Sequence, residues 1–344
     1  MNKNNTYQKE ILRIKLYLGF FMISAVFSFF ILIALFFVAE IPKKNIFVRE
    51  GDSRSGSSVE EAKVSIDENT DGSENRDLRR MEYFDGLNIE ADSVVVLDIN
   101  KDEVIFERNS TKSRPLASIT KVMTMVVALE NAEPSSPILI DTYSFIHGSG
   151  ELLLYDSLTL EDLAKISMIT SSNEASYAIA SAVGSIMTGL PHEDGERFFV
   201  SEMNRKARSL GLGQTFFNNS TGLDVNESTG GGYSSARDVA DLMLYALHHH
   251  PGTLYYTRHE TSEETSLNNF GYRFSNTNPT VSKIDGILAS KTGYTRLAGG
   301  NLAVVVNADF NYPVIIVVMG SSREGRFEDV GKLLEATKKY LRSS

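Results

Sequence analysis

Ser118 and Lys121 stand three residues apart in Ser118-Ile119-Thr120-Lys121, and on a helix that spacing puts both side chains on one face. A hydroxyl is a weak nucleophile until a base takes its proton. An amine can be that base only when its pKa falls from about 10.4 toward neutrality. Burial lowers it, and so does a second cation such as Lys291. A serine at a helix start also lies among unpaired backbone N–H groups, which favour developing negative charge. The pair therefore suits covalent acyl transfer without a histidine. Ser-x-x-Lys arises by chance about once or twice in a chain of this length, so its setting decides. Here Pro115-Leu116-Ala117 precedes it and the apolar run Val122-Met123 follows. The bland alternative is a serine cap with a solvated lysine.

Two further words could complete the chemistry. Ser171-Ser172-Asn173 lies between two helical patterns. From there Ser171 could pass a proton to a leaving amine, and Asn173 could bond the substrate amide or Lys121. The triplet alone is weak, because others begin at Ser73 and Ser266. Lys291-Thr292-Gly293 ends a predicted strand. A strand edge can pair with an extended peptide while lysine and threonine hold a carboxylate. Gly293 leaves room for backbone to approach. Chance produces this triplet in about one such chain in ten, which makes it the most specific of the three.

Residues 93–97 and 103–107 read as short strands around an Asn100-Lys101-Asp102 turn. A helix is expected from near Ser118, after Pro115. Helical spacing recurs over 160–170, 174–183, 197–210 and 236–249. Strands return at 286–291, 301–307 and 314–319, and an amphipathic helix covers 326–341. Strands at both ends with helices between them predict an α+β fold. Its single antiparallel sheet is flanked by helices and carries an all-helical subdomain, roughly 125–260, inserted mid-chain.

Longer words sharpen the reading. They are Leu116-Ala117-Ser118-Ile119-Thr120-Lys121-Val122-Met123-Thr124, Asn219-Ser220-Thr221-Gly222-Leu223 and Tyr233-Ser234-Ser235-Ala236-Arg237-Asp238. Lys291-Thr292-Gly293-Tyr294-Thr295 then follows, with Ala298-Gly299 after it. In this order they resemble the low-molecular-weight penicillin-binding proteins, the serine-type D-alanyl-D-alanine carboxypeptidases. The resemblance runs from about residue 92 to 340. It implies the β-lactamase/transpeptidase-like fold, with Ser118 attacking the carbonyl between the two terminal D-alanines of a peptidoglycan stem peptide. Lys121 would then be the general base, with Ser171 and Asn173 assisting. The N–H groups of Ser118 and Tyr294 would form the oxyanion hole, and Lys291, Thr292, Gly293 and Tyr294 would line the substrate strand. A β-lactam would trap Ser118 as a slow ester. Arg326 matches a family arginine that supports carboxylate binding, with Arg323 its competitor. Ser172 stands where the family often has glycine. A D,D-endopeptidase would use the same residues on cross-links. A β-lactamase-like hydrolase is the other alternative, although no glutamate motif for fast deacylation is evident. A catalytically dead wall-binding module is disfavoured by the intact Ser118, Lys121 and Lys291.

The chain has 344 residues and a formal net charge of −10. No basic face suggests nucleic acid. Absent cysteine excludes thiol chemistry and disulfides. Residues 16–39 form an uncharged apolar run long enough to cross a bilayer, and are expected to be an uncleaved signal anchor. Lys3, Lys9, Arg13 and Lys15 precede it, weakly favouring an internal terminus over residues 1–15 and an extracytoplasmic remainder. Residues 40–88 are polar and acidic, an expected disordered linker to a catalytic domain at 89–344. No cofactor or metal is expected. His248-His249-His250 are consecutive, so they diverge on a helix. Gly230-Gly231-Gly232 lacks the lysine of a phosphate loop. Tyr143, Phe145 and His147 are candidates for the mouth of the site.

Overall fold

The computed structural model describes residues 82–148 and 150–343. Strands β1 (Ser93–Asp98) and β2 (Glu103–Arg108) form the first hairpin. Asp98 Oδ1 shapes its turn by accepting from the Asn100 and Lys101 amides. A two-residue strand, β3 (Arg114–Pro115), and a 3-10 turn (Ala117–Ile119) lead into α1 (Thr120–Asn131). Next come β4 (Pro137–Leu139), α2 (Thr142–Ile146), β5 (Ser157–Thr159) and α3 (Leu160–Thr170). Helices α4 (Asn173–Thr188) and α5 (His192–Ser209) follow, then β6 (Phe216–Phe217) and β7 (Gly232–Ser234). Helices α6 (Ala236–His249) and α7 (Pro251–Tyr256) precede a hairpin of β8 (Thr261–Thr265) and β9 (Gly271–Ser275). The chain closes with β10 (Ile287–Thr295), β11 (Gly299–Asp309), β12 (Tyr312–Ser321) and α8 (Gly325–Arg342).

The main sheet has the order β10-β11-β12-β1-β2 and is antiparallel throughout. Successive strand residues face opposite ways, and here both faces are covered. Val94, Val96, Val304 and Ile316 pack with Val330 and Leu333 of α8. Val95, Leu97, Val305 and Ile315 pack toward the helices of the other layer. Burial on both sides is why these strands read as near-continuous Val and Ile runs. The order leaves β10, which carries Lys291-Thr292-Gly293, at an edge of the sheet.

Helix starts that matter to the site are fixed by caps. The Thr159 hydroxyl accepts from the Asp162 amide at 3.1 Å and opens α3. Ser172 does the same for Ala175 at 3.2 Å and opens α4. Between them Ser171 takes left-handed backbone, φ +66°, which ends α3.

Two expectations change. Ordered structure begins before residue 89, because Phe84 is buried and stacks on Phe106 at 4.7 Å between centroids. The linker's polar composition hid this one aromatic anchor. The inserted segment is not all-helical: it holds β4, β5, β6 and β7, each too short to show a period of two. Residues 16–39 lie outside the described residues. Among the described residues no helix is long and apolar enough to cross a membrane.

Candidate active site

Ser118 sits in the 3-10 turn just ahead of α1, and Lys121 is in the first turn of that helix. Lys121 is fully buried. Its Nζ lies 3.0 Å from Ser118 Oγ, 2.9 Å from Asn173 Oδ1 and 2.8 Å from the Thr221 carbonyl oxygen. Burial alone lowers its pKa from 10.5 to about 7. A neutral amine has two N–H donors and one lone pair. The amide oxygen of Asn173 and the carbonyl of Thr221 can only accept, so they take both N–H groups. The lone pair is left facing the Ser118 hydroxyl. That is the arrangement a general base needs.

Two glycines let neighbouring backbone close on Ser118. Gly222 has φ +83°, and a Cβ there would lie 1.8 Å from the Ala117 carbonyl oxygen. A Cβ on Gly293 would lie 2.8 Å from the Leu116 oxygen and 3.2 Å from the Ser118 nitrogen. Strand β10 therefore touches the nucleophile's backbone only because position 293 has no side chain. Ala117 itself has φ +49°, left-handed for a residue with a Cβ.

Lys291 is the second buried ammonium. Its Nζ donates to Ser171 Oγ at 2.9 Å and to the Thr292 carbonyl at 3.0 Å. Burial drives its pKa well below 10.5, and Lys121 and then Arg326 add repulsion. None of the partners of either lysine is an anion. Neither lysine has a carboxylate among these partners, so an anionic ligand would favour the charged form of Lys291 that burial opposes. Thr292 Oγ1 pairs with Thr277 Oγ1 at 2.6 Å, and Thr277 N donates to the Ile169 carbonyl at 3.0 Å. This ties the end of α3, just before Ser171, to the β10 edge.

Arg326 is buried behind β10, donating from Nη1 to the Gly293 carbonyl at 2.6 Å. Its Nε is buried without a partner. Gly300 allows this approach, since a Cβ there would lie 3.2 Å from Arg326 Cδ. Arg323 is exposed, 5.2 Å from the ring centre of the half-exposed Tyr294. Geometry separates the two arginines: one braces the strand, the other covers its outer end. Tyr143 and His147 cluster with Tyr177, one turn beyond Asn173, with ring centres 4.7–6.1 Å apart. Burial, then Glu196, raises the Tyr177 phenol, with the nearby Thr221 side chain acting against them, which sets this cluster near the Lys121 carbonyl partner. Burial, then Glu196, pushes the Tyr143 phenol up to about 12. His249 stacks on Tyr245, and His250 caps α6, both apart from these contacts.

The family model described as D-alanyl-D-alanine carboxypeptidase matches residues 80–323. The chain belongs to the D-alanyl-D-alanine carboxypeptidase family. Among its relatives, a D-alanyl-D-alanine endopeptidase of Escherichia coli is 30% identical over 261 residues, covering 71% of this chain and 76% of the relative. The D-alanyl-D-alanine carboxypeptidase DacF of Bacillus subtilis is 30% identical over 260 residues, 72% of this chain but 61% of the relative. A Streptomyces DD-transpeptidase structure superposes with TM-score 0.65 at 21% identity, covering 72% of this chain and 97% of that one. A D-alanyl-D-alanine carboxypeptidase structure from Mycobacterium tuberculosis gives 0.63 at 23%, covering 73% and 91%. At those identities the two structures establish the mixed α/β fold.

Within this carboxypeptidase-family cleft the structure brings Ser118, Lys121, Ser171, Asn173, Lys291 and Thr292 together around a few polar contacts. Sequence reasoning missed Thr277, which no motif marks. It also missed Glu174, whose fully buried carboxylate accepts from the Gly150, Glu151 and Leu152 amides at 2.5, 3.0 and 3.1 Å. An acidic residue immediately after Asn173 was visible, but its loop partner was not. Asn301, an amide at the head of the apolar run 302–306, was a readable signal of the same kind.

Proposed function

We propose that this chain is a serine D-alanyl-D-alanine carboxypeptidase that trims the terminal D-alanine from peptidoglycan stem peptides. The observation that carries the reading is the Lys121 amine, lowered to about 7, held by two obligate acceptors with its lone pair toward Ser118 Oγ at 3.0 Å. Lys121 takes the Ser118 proton as Oγ bonds the scissile carbonyl carbon. The oxyanion forms between the N–H groups of Ser118 and Tyr294, a stabilisation worth several kcal/mol in such sites. The tetrahedral centre collapses, the C–N bond breaks, and Ser171 relays the proton to the departing D-alanine amine. Water then attacks the ester, gives its proton to Lys121, and Ser118 recovers its own. Lys291, Thr292 and Arg326 supply the positive field for the terminal carboxylate, and β10 lends its free edge to the peptide backbone. β-Lactams are covalent inhibitors on this reading.

Residues 16–39 tether the enzyme to the membrane in a single pass, with residues 40–81 as spacer and the catalytic part outside the cytoplasm. The apolar length of the run supports this. A second reading is D,D-endopeptidase cleavage of cross-links. The similarity to the E. coli endopeptidase, across 76% of its length, favours it.

Fluorescent penicillin tests the nucleophile: the full chain in detergent is expected to label covalently and Ser118→Ala to stay dark. Label surviving in Ser118→Ala would overturn the assignment. Mass spectrometry of muropeptides separates the readings. Loss of one alanine from monomers marks the carboxypeptidase, and conversion of dimers to monomers marks the endopeptidase.

A further inference from the structure

We infer that Asn301 is a positioning residue that sets the gap between Ser118 and Tyr294 in which the oxyanion forms, an inference that rests on the function proposed above. Asn301 is fully buried in β11, directly opposite Gly293 of β10. Its Nδ2 donates to the Pro115 and Leu116 carbonyls at 2.9 and 3.0 Å, and its Oδ1 accepts from the Gly320 amide at 2.9 Å. Turning the amide over would face its oxygen to both carbonyls and its N–H groups to an N–H. The surroundings therefore fix its orientation.

Those two carbonyls belong to the backbone that delivers Ser118. Leu116 is held from its other side as well, where its N–H donates to the Gly232 carbonyl at 2.8 Å. Pro115 pairs with Tyr233 of β7. The segment is thus pinned between β7 and β11 just before Ala117 turns left-handed. The Leu116 oxygen gripped by Asn301 is also the atom nearest Gly293, at 2.8 Å from where its Cβ would stand. One amide therefore holds the backbone of the nucleophile at a set distance from the strand bearing Tyr294. Asn301 touches no substrate. It acts through the N–H groups of Ser118 and Tyr294, which stabilise the transition state only when both reach the oxyanion at hydrogen-bond length.

Ground-state binding does not need that geometry, but bond formation does. The test is the acylation of the full chain by fluorescent penicillin at varied concentration, which separates the limiting acylation rate from the dissociation constant that precedes it. Asn301→Ala is expected to lower the limiting rate about ten- to hundred-fold while the dissociation constant stays within about two-fold. Asn301→Ser, which keeps one donor, should fall between that variant and the wild type, and it serves alone if the alanine form does not fold. Thr337→Val is the control for general loosening, because Thr337 is a buried hydroxyl of α8 bonded to the Leu333 carbonyl. Wild-type limiting rates in the Asn301 variants would overturn the inference. So would a loss that Thr337→Val reproduces, or one confined to the dissociation constant. Failure of the underlying reading shows separately, as label persisting in Ser118→Ala.

Discussion

Lys121 and Lys291 are the same residue in the same buried cleft, yet their surroundings differ in ways that fit the opposite tasks proposed for them. Lys121 meets two acceptors that cannot donate, plus one hydroxyl, and burial alone lowers it to about 7. Lys291 meets a hydroxyl and its neighbour's carbonyl, and it feels two other cations besides burial. The first environment uses up the N–H groups and leaves a lone pair. The second opposes the ammonium form through burial, Lys121 and Arg326, so an incoming anion is the partner that would hold it protonated. The lesson is that two amines of equal depth differ in their acceptor sets, and on the proposed function that difference is what suits one to move a proton and the other to hold a carboxylate.

That contrast can be broken by substitution. Lys121→Ala is expected to slow acylation by about 10²–10⁴-fold for every acyl donor, charged or not, because it removes the base. Lys291→Ala should cost about 10–100-fold, the range of a lost charge-assisted bond, and only for ligands with a free carboxylate. Assaying both variants with a stem peptide and its carboxamide checks this; equal sensitivity of the two lysines to amidation would abolish the distinction. The wild-type pH profile sharpens it further. The Lys121 amine is protonated and useless as a base well below pH 7, and neutral above it. The acylation rate should therefore climb through a midpoint near 7 and level off at higher pH. A rate that falls over that interval would exclude the amine as base. The smallest effect is expected at the join between the two sides. Thr277→Val removes the neutral hydrogen bond to Thr292 together with a longer one to the Ile169 carbonyl, of which the former is worth about 1 kcal/mol, so it should lower acylation about five-fold. Steady-state kinetics should show it with little change in melting temperature.

The large elements were legible because their causes are local. The strands over 93–97, 301–307 and 314–319 carry residues buried on both faces, and the helices at 160–170 and 236–249 keep one apolar side. The hairpin of β8 and β9 was not foreseen, since Thr261-Ser262-Glu263-Glu264-Thr265 offers no apolar alternation and is held by pairing with β9. In the site, side chains with chemistry stood out and their supports did not. Thr221 serves Lys121 through a main-chain oxygen, which no residue type announces. Asn301 acts across a sequence separation of 185 residues, so its purpose exists only once β11 lies beside the loop before Ser118. The charged contest between Arg323 and Arg326 likewise needed the fold, because burial is what tells them apart.

Glu174 has a mechanical consequence for the loop it holds. Residues 150–152 form a lip whose three amides all donate to the Glu174 carboxylate, one residue beyond Asn173. Prying that lip open would leave the buried Glu174 side chain without its three donors, a penalty of several kcal/mol. The lip therefore moves only if the helix carrying Asn173 moves with it. One acidic side chain thus couples a surface loop to the helix that presents Asn173, so that the two travel as one piece.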